Sequence, residues 1–174
     1  MLTGVANTRA FKELAATELE RARRYGRTFT LATLDLDNFK AVNDTLGHAT
    51  GDRLIHDVGQ AIRHRLRRVD IVARIGGDEF VVVLPETGAA AAAIALTHVQ
   101  ESLQTVAEGH GPAVRASFGS VTFVSAPGTV EEILQLADVA MCQAKNAGGD
   151  RIVSLTISRE AKPAESWPEV EPEA

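Results

Sequence analysis

The chain has 174 residues, 45% of them apolar, and a formal net charge of −5. That length suits one domain with an ordinary packed core, and the acidic balance excludes a trap for nucleic acid or anionic membrane acting through bulk charge. One cysteine, Cys142, rules out an internal disulfide, as in a reducing cytosol, and neither a signal peptide nor an apolar run of the roughly 20 residues that cross a bilayer is visible.

In chain order, Asn7 or Thr8 can cap a first helix, with Phe11, Leu14, Ala15, Leu19 and Ala22 on one face and Gly26 at its end. "TFTLATLDLD" follows as a strand, apolar on both faces until its last residues, which reads as a central strand covered on both sides. Asp35 and Asp37 are two apart and so project to the same face where this strand finishes. "NFKAVNDTLGHATGD" reads as a turn-rich piece. Leu54, Ile55, Val58, Ala61, Ile62 and Leu66 then mark a helix. "DIVARI" and "EFVVVLP" are two strands joined tightly at Gly76 and Gly77.

The run "AAAAAIAL" from Ala89 is too short to span a bilayer and reads as a closely packed helix reaching about Val106. "AVRASFGSVTFV" is a strand. Thr129 and Glu132 have the spacing of a capping box, opening a helix lined by Ile133, Leu134, Ala137, Ala140, Met141 and Ala144. Gly148 and Gly149 stop it, and "RIVSL" is a short last strand. Residues 158–174, rich in Pro and Glu, read as a disordered tail to a domain of residues 1–157. The order of helices and strands, with one adjacent hairpin, argues for an α/β sandwich on a mixed sheet.

The chemistry centres on "ARIGGDEFVVVLP". Glycines at the bend permit the positive φ of a two-residue turn, and they leave room for a bulky group against the backbone. Alone, Asp78 would be an ordinary solvated turn residue. A strand end and a neighbouring hairpin can, however, bring Asp35 and Asp78 together from distant parts of the chain. Carboxylates that converge at a sheet edge repel unless a hard cation lies between them. Mg²⁺ takes oxygen ligands and is commonly held by one or two carboxylates plus substrate phosphates. The pattern therefore points to a metal–nucleotide site.

"GGDEF" in this setting resembles the signature of the diguanylate cyclase catalytic domain, the GGDEF family. "LTGVANTRAF", "LDLDNFKAVNDTLGHATGD", "ASFGSV" and "LADVAMCQAKNAGGDRI" resemble further segments of that family, so the likeness runs from about Leu2 to Val153. It implies a central, mainly antiparallel mixed sheet in βαββαβ order, related to the palm of polymerases and nucleotide cyclases. It also implies a reaction: two GTP condense to cyclic di-GMP with release of two pyrophosphates. Each domain binds one GTP, so a homodimer of facing domains is required.

By this resemblance, Asp35, Asp78 and the backbone carbonyl of Leu36 hold Mg²⁺, for which Mn²⁺ can substitute. Asp78 is also the family's candidate base for the ribose 3′-hydroxyl, although a carboxylate beside Mg²⁺ is a weak base. Glu79 points to the other face by strand alternation, with a hairpin-supporting role as much as a site role. Lys40 resembles the phosphate-facing lysine. Asn43 and Asp52 resemble the guanine readers, the Asp accepting from guanine N1 and N2. His48, Lys145, Gly76 and Gly77 occupy positions that line the substrate. Phe39 reads as core. Arg67 and Asp70 form an RxxD, separated from Gly76 by five residues, which resembles the family's inhibitory product site.

The pattern departs from the family where Gly149 replaces an Arg that clamps the triphosphate, where Met141–Cys142 replaces an aromatic, and where "LTGVANTRA" lacks a paired Arg. Two functions follow. One is a cytoplasmic diguanylate cyclase working under an upstream sensory region or a regulatory partner. The other is a weak or inactive domain acting as a receptor for GTP or cyclic di-GMP. Direct contact with membrane or nucleic acid is not expected. A polymerase-like transferase is disfavoured because no basic template groove is visible.

Overall fold

The computed structural model describes residues 3–108 and 115–158. Apart from Ser158, the expected disordered tail lies outside them. Asn7 settles the choice of first cap: its side-chain oxygen accepts from the N–H of Ala10 at 2.9 Å. Gly26, at φ 59°, ends α1 (Thr8–Tyr25) in the left-handed region that glycine adopts without strain. Leu14 turns away from the core and is 46% exposed, unlike its expected facemates Phe11, Ala15, Leu19 and Ala22.

Among the described residues six strands form one sheet: β1 (Ala6–Asn7), β2 (Phe29–Asp37), β3 (Ile71–Arg74), β4 (Glu79–Pro85), β5 (Arg115–Phe123) and β6 (Ile152–Ile157), in the order β1-β3-β4-β2-β5-β6. β2 is antiparallel to both its neighbours, β4 and β5, whereas β1–β3 and β5–β6 are parallel. The mixed, mainly antiparallel α/β class expected from the sequence is borne out. β2 is central and covered on both faces, as its continuous apolar run required.

On one face α3 (His48–Arg65) and α4 (Ala89–Glu108) pack Leu54, Ile55, Leu96 and Val99 against Leu34, Leu36, Phe80, Val82 and Phe118. On the other, α1 and α5 (Val130–Asn146) pack Phe11, Leu19, Ile133 and Ala137 against Leu31, Val81, Val83 and Val121. Each such large side chain contributes about 1.5–3 kcal/mol by leaving water. Thr129 caps α5 by accepting from the N–H of Glu132 at 3.1 Å. Glu132 reaches instead to the N–H of Gly128, at 2.8 Å. α5 lies directly on the sheet at Gly119, where a Cβ would stand 2.2 Å from the Met141 nitrogen and 2.3 Å from the Ala137 carbonyl oxygen. That close approach sets how near α5, which carries Lys145 in its last turn, lies to the sheet.

Residues 38–52, expected to be turn-rich, are largely helical. Phe39–Leu46 form α2, and α3 already starts at His48. Phe39 and the buried Val42 share a face that packs on the core, and tertiary burial overrides the run's polar, turn-prone composition. Gly47, at φ 82°, makes the break between the two helices. Among the described residues, no helix is long and apolar enough to cross a membrane.

Candidate active site

The register of β2 against its neighbours decides where its terminal carboxylates go. Asp35 pairs with Glu79 of β4 and with Ser117 of β5. The N–H of Leu36 donates to the Asp78 carbonyl at 3.3 Å, so Asp78 stands one residue beyond Glu79 along the ladder and on the opposite face. Asp35 therefore approaches the end of the sheet from the α5 side and Asp78 from the α2 side. Both line a single cavity of about 790 Å³, whose wall also contains Leu36, Lys40, Arg115 and Lys145. Phe39 contributes to this wall while packing partly into the core.

Gly76 and Gly77 sit in a four-residue connection, Ile75 to Asp78, between β3 and β4. Neither has positive φ, which corrects the expectation of a two-residue turn. In the longer loop the N–H groups of Ile75 and Gly76 both turn back to the Glu79 carbonyl, at 3.0 and 3.4 Å. Space rather than φ favours glycine at 76: a Cβ there would stand 2.3 Å from a Glu79 carboxylate oxygen and 3.1 Å from the Glu79 Cβ, so the Glu79 side chain would have to swing aside. Arg74 stiffens the loop, its Nε donating to the carbonyl of Gly76 at 3.1 Å and its Nη2 to that of Gly77 at 2.6 Å. Glu79 itself lines a second cavity of about 430 Å³ with Asp138, and Asp35 and Lys145 lie in the walls of both cavities.

Lys145 Nζ stands 2.7 Å from Asp35 Oδ1. Burial drives the Asp35 carboxyl above its ordinary range; Lys145 opposes this, and Asp78 and Asp37 reinforce it. Burial alone would lower Lys145, but its hydrogen bond to Asp35 and the nearby charges of Asp35, Asp37 and Asp78 hold it above the usual lysine value. Acid and base move the same way for different reasons: burial outweighs Lys145 at Asp35, and the surrounding carboxylates outweigh burial at Lys145.

Asp37, which the strand pattern put on the same face as Asp35, serves as a clamp. It accepts from the Ser117 hydroxyl at 2.8 and 2.9 Å and from the Asp150 N–H at 3.0 Å. The chain passes through Gly148, Gly149 and Asp150 at φ 106°, 71° and 49°. A Cβ on Gly149 would lie 3.0 Å from Asp37 Oδ2, so this loop accommodates glycine and disfavours the arginine of the family pattern. Asp150 in turn holds Arg115 at 2.5 Å. Arg74, Asp150 and Arg115 were not singled out by sequence reasoning. The only signal for Arg115 is its pairing with Asp37 across β2 and β5, which needs long-range register.

Asn43, His48 and Asp52 lie outside the cavity wall, on α2 and α3. Gly51 lets Asn43 nestle between the helices, since a Cβ at 51 would sit 1.9 Å from its side-chain oxygen. His48 and Asp52 are exposed. Arg67 and Asp70 engage each other. Asp70 Oδ2 accepts from the Arg67 N–H at 2.7 Å, and Arg67 Nη2 lies 3.3 Å from Asp70 Oδ1. Arg67 also donates to the Thr87 hydroxyl at 2.6 Å. The Asp70 side chain is only 2% exposed and that of Arg67 59%, so only the arginine is displayed to solvent.

The donors at the Asp35–Asp78 end are oxygens, the chemistry a hard divalent cation requires. Among the described residues no three His, Cys, Asp or Glu side chains close into a metal cage. The set fits an ion that keeps open positions for phosphate oxygens.

The family described as diguanylate cyclase, GGDEF domain, matches residues 1–151. The chain belongs to the GGDEF family. The probable diguanylate cyclase DgcC of Escherichia coli (strain K12) is 37% identical over 152 residues, covering 86% of this chain and 41% of that protein. Diguanylate cyclase SiaD of Pseudomonas aeruginosa, solved in complex with its activator SiaC, superposes with a TM-score of 0.82 at 38% identity over 88% of this chain and 60% of that one. The GGDEF domain of DgcB from Caulobacter crescentus in complex with c-di-GMP gives 0.81 at 29% identity, over 88% and 93%. The chain spans less than half the length of the curated relatives it matches.

Proposed function

We propose that this domain is a diguanylate cyclase, condensing two GTP into cyclic di-GMP and two pyrophosphates. The observation that carries this reading is the convergence of Asp35, at the end of β2, and Asp78, in the β3–β4 connection, on one cavity with Lys40 and Lys145 in its wall. In each condensation a ribose 3′-oxygen forms a bond to the α-phosphorus of the facing GTP. The bond from that phosphorus to the oxygen bridging to the β-phosphate breaks, and pyrophosphate leaves with the electron pair. Two such steps close the ring, so the site is completed by a second domain about a two-fold axis.

Asp35, Asp78 and the Leu36 carbonyl would hold Mg²⁺, or Mn²⁺ in its place. The ion, when bound, neutralises the triphosphate and stabilises the leaving pyrophosphate. Lys40 and Lys145 supply positive charge to the phosphates in a wall otherwise rich in carboxylates. Asp78 would receive the 3′-hydroxyl proton. Asn43, His48 and Asp52, on the α2–α3 hairpin, would read the guanine. Gly76 and Gly77 hold the loop that presents Asp78. Arg67, with Asp70 behind it, would take the product at an inhibitory site. The GGDEF domain of DgcB, solved with c-di-GMP, supports product recognition as a property of this fold. The SiaD–SiaC complex supports control by a partner.

The second reading, a receptor that binds GTP or cyclic di-GMP without turnover, is favoured by one observation. Gly149, at φ 71° and pressed against Asp37, offers no side chain to the triphosphate. Incubation with GTP and Mg²⁺, followed by chromatography of the nucleotides, decides between them. Cyclic di-GMP from the wild type, with a loss of at least about a hundredfold in Asp78→Asn, is expected. Nucleotide binding without product would leave only the receptor.

A further inference from the structure

We propose that Arg115 is the triphosphate clamp of this chain, taking the terminal phosphates of the nucleotide in the Asp35–Asp78 cavity, beside the side-chain-free loop at Gly149. The inference rests on the reading of that cavity as the GTP site. Among the described residues three cationic side chains are in its wall, Lys40, Lys145 and Arg115, and of these Arg115 is the guanidinium. A guanidinium can grip two phosphate oxygens at once in a planar fork, which an ammonium cannot.

The surroundings of Arg115 hold it in readiness. It opens β5 directly opposite Asp37, and its side chain is 59% exposed. A single N–H group bonds it to Asp150 Oδ2, while Asp150 Oδ1 is buried without a hydrogen-bond partner. The pair is therefore one-pronged, and among the described residues no other hydrogen bond engages the guanidinium. Asp150 is itself fixed, because its backbone N–H is bound to Asp37 at 3.0 Å. The loop that disfavours an arginine at position 149 thus supplies, one residue later, the carboxylate that anchors an arginine arriving from the neighbouring strand. Asp37 steadies both ends of this arrangement.

The test compares the wild type with Arg115→Ala and Arg115→Lys in Mg²⁺. Affinities are measured for 3′-deoxy-GTP, which lacks the attacking hydroxyl, and for GMP, which lacks the terminal phosphates. Arg115→Ala should weaken 3′-deoxy-GTP about ten- to a hundredfold and leave GMP within about twofold. Arg115→Lys should fall between, and in turnover KM should rise more than kcat falls. Equal weakening of both nucleotides, or unchanged 3′-deoxy-GTP affinity in a wild type that binds it well, overturns the clamp while leaving the cyclase reading intact. A wild type that binds neither nucleotide overturns both. If thermal melting shows Arg115→Ala to be unfolded, the lysine variant decides: affinity equal to wild type removes the fork.

Discussion

Lys145 of α5 and Asp35 of β2 hold each other at 2.7 Å, so the carboxylate proposed to bind a divalent cation is already engaged by an ammonium. Cation and lysine then compete for Asp35 until phosphates arrive to draw Lys145 away. Lys145→Ala should bind Mn²⁺ several-fold more tightly in the absence of nucleotide, and GTP about tenfold more weakly in its presence. Titration of Mn²⁺ by electron paramagnetic resonance checks the first half. An unchanged Mn²⁺ affinity would mean that the pair does not guard the cation seat.

The contact between α5 and the sheet should be intolerant of a single methyl group. Gly119→Ala places a Cβ against the backbone of Met141 and Ala137, which cannot yield as a flexible side chain would. A loss of about 2–3 kcal/mol is expected in urea denaturation. Gly77→Ala is the control: nothing lies within 4 Å of its Cβ position, and its stability should stay within about 0.5 kcal/mol of wild type.

Arg67 and Asp70 should separate into a binding residue and a structural one. Asp70 is buried and accepts from the Arg67 N–H, whereas the Arg67 side chain is displayed to solvent. Asp70→Ala should cost about 1–3 kcal/mol, and Arg67→Ala about 1 kcal/mol or less. Product inhibition should nevertheless be relieved by Arg67→Ala, with turnover retained. Inhibition curves for cyclic di-GMP on both variants check this; an undiminished response in Arg67→Ala would remove the inhibitory site.

Stability should decline as the pH rises through the range in which Glu18 ionises. Glu18 is 8% exposed. Burial pushes its carboxyl upward, Arg21 opposes and Glu86 adds to the rise. A raised value in the folded state means that folding favours the protonated form. Stability is therefore lost as pH climbs from the ordinary glutamate value through the folded one, and then levels off. Glu18→Gln cannot ionise, so it should melt higher than wild type at neutral pH. The gap should close at about pH 4, where the glutamate is largely protonated. Melting curves at both pH values suffice, and a constant gap would contradict the assignment.

Much of this architecture was legible along the chain. The central strand followed from an apolar run on both faces of β2, and α5 from the Thr129 cap and the spacing of Ile133, Ala137 and Ala140. Asp35 and Asp78 could be joined because a strand end and a hairpin are both recognisable in a linear text. α2 was missed because residues 39–46 are helical through the burial of Phe39 and Val42, which local composition does not reveal. The turn at Gly76 was misjudged because glycine answers to two needs, conformation and room, and only coordinates separate them. Arg115 and Asp150 stayed hidden since their relationship depends on which residues of β2 and β5 lie abreast.

The hydrogen bond from Leu36 to the carbonyl of Asp78 carries one more implication. The order of letters in GGDEF encodes an alignment as much as a chemistry. Were β4 to slide by one position, the two acids would trade surfaces, and the one beside Asp35 would be of a different length and angle. Such a slip would carry Asp78 away from the cavity it shares with Asp35 without altering any charged group, so the geometry of the centre is inherited from the pairing of the sheet.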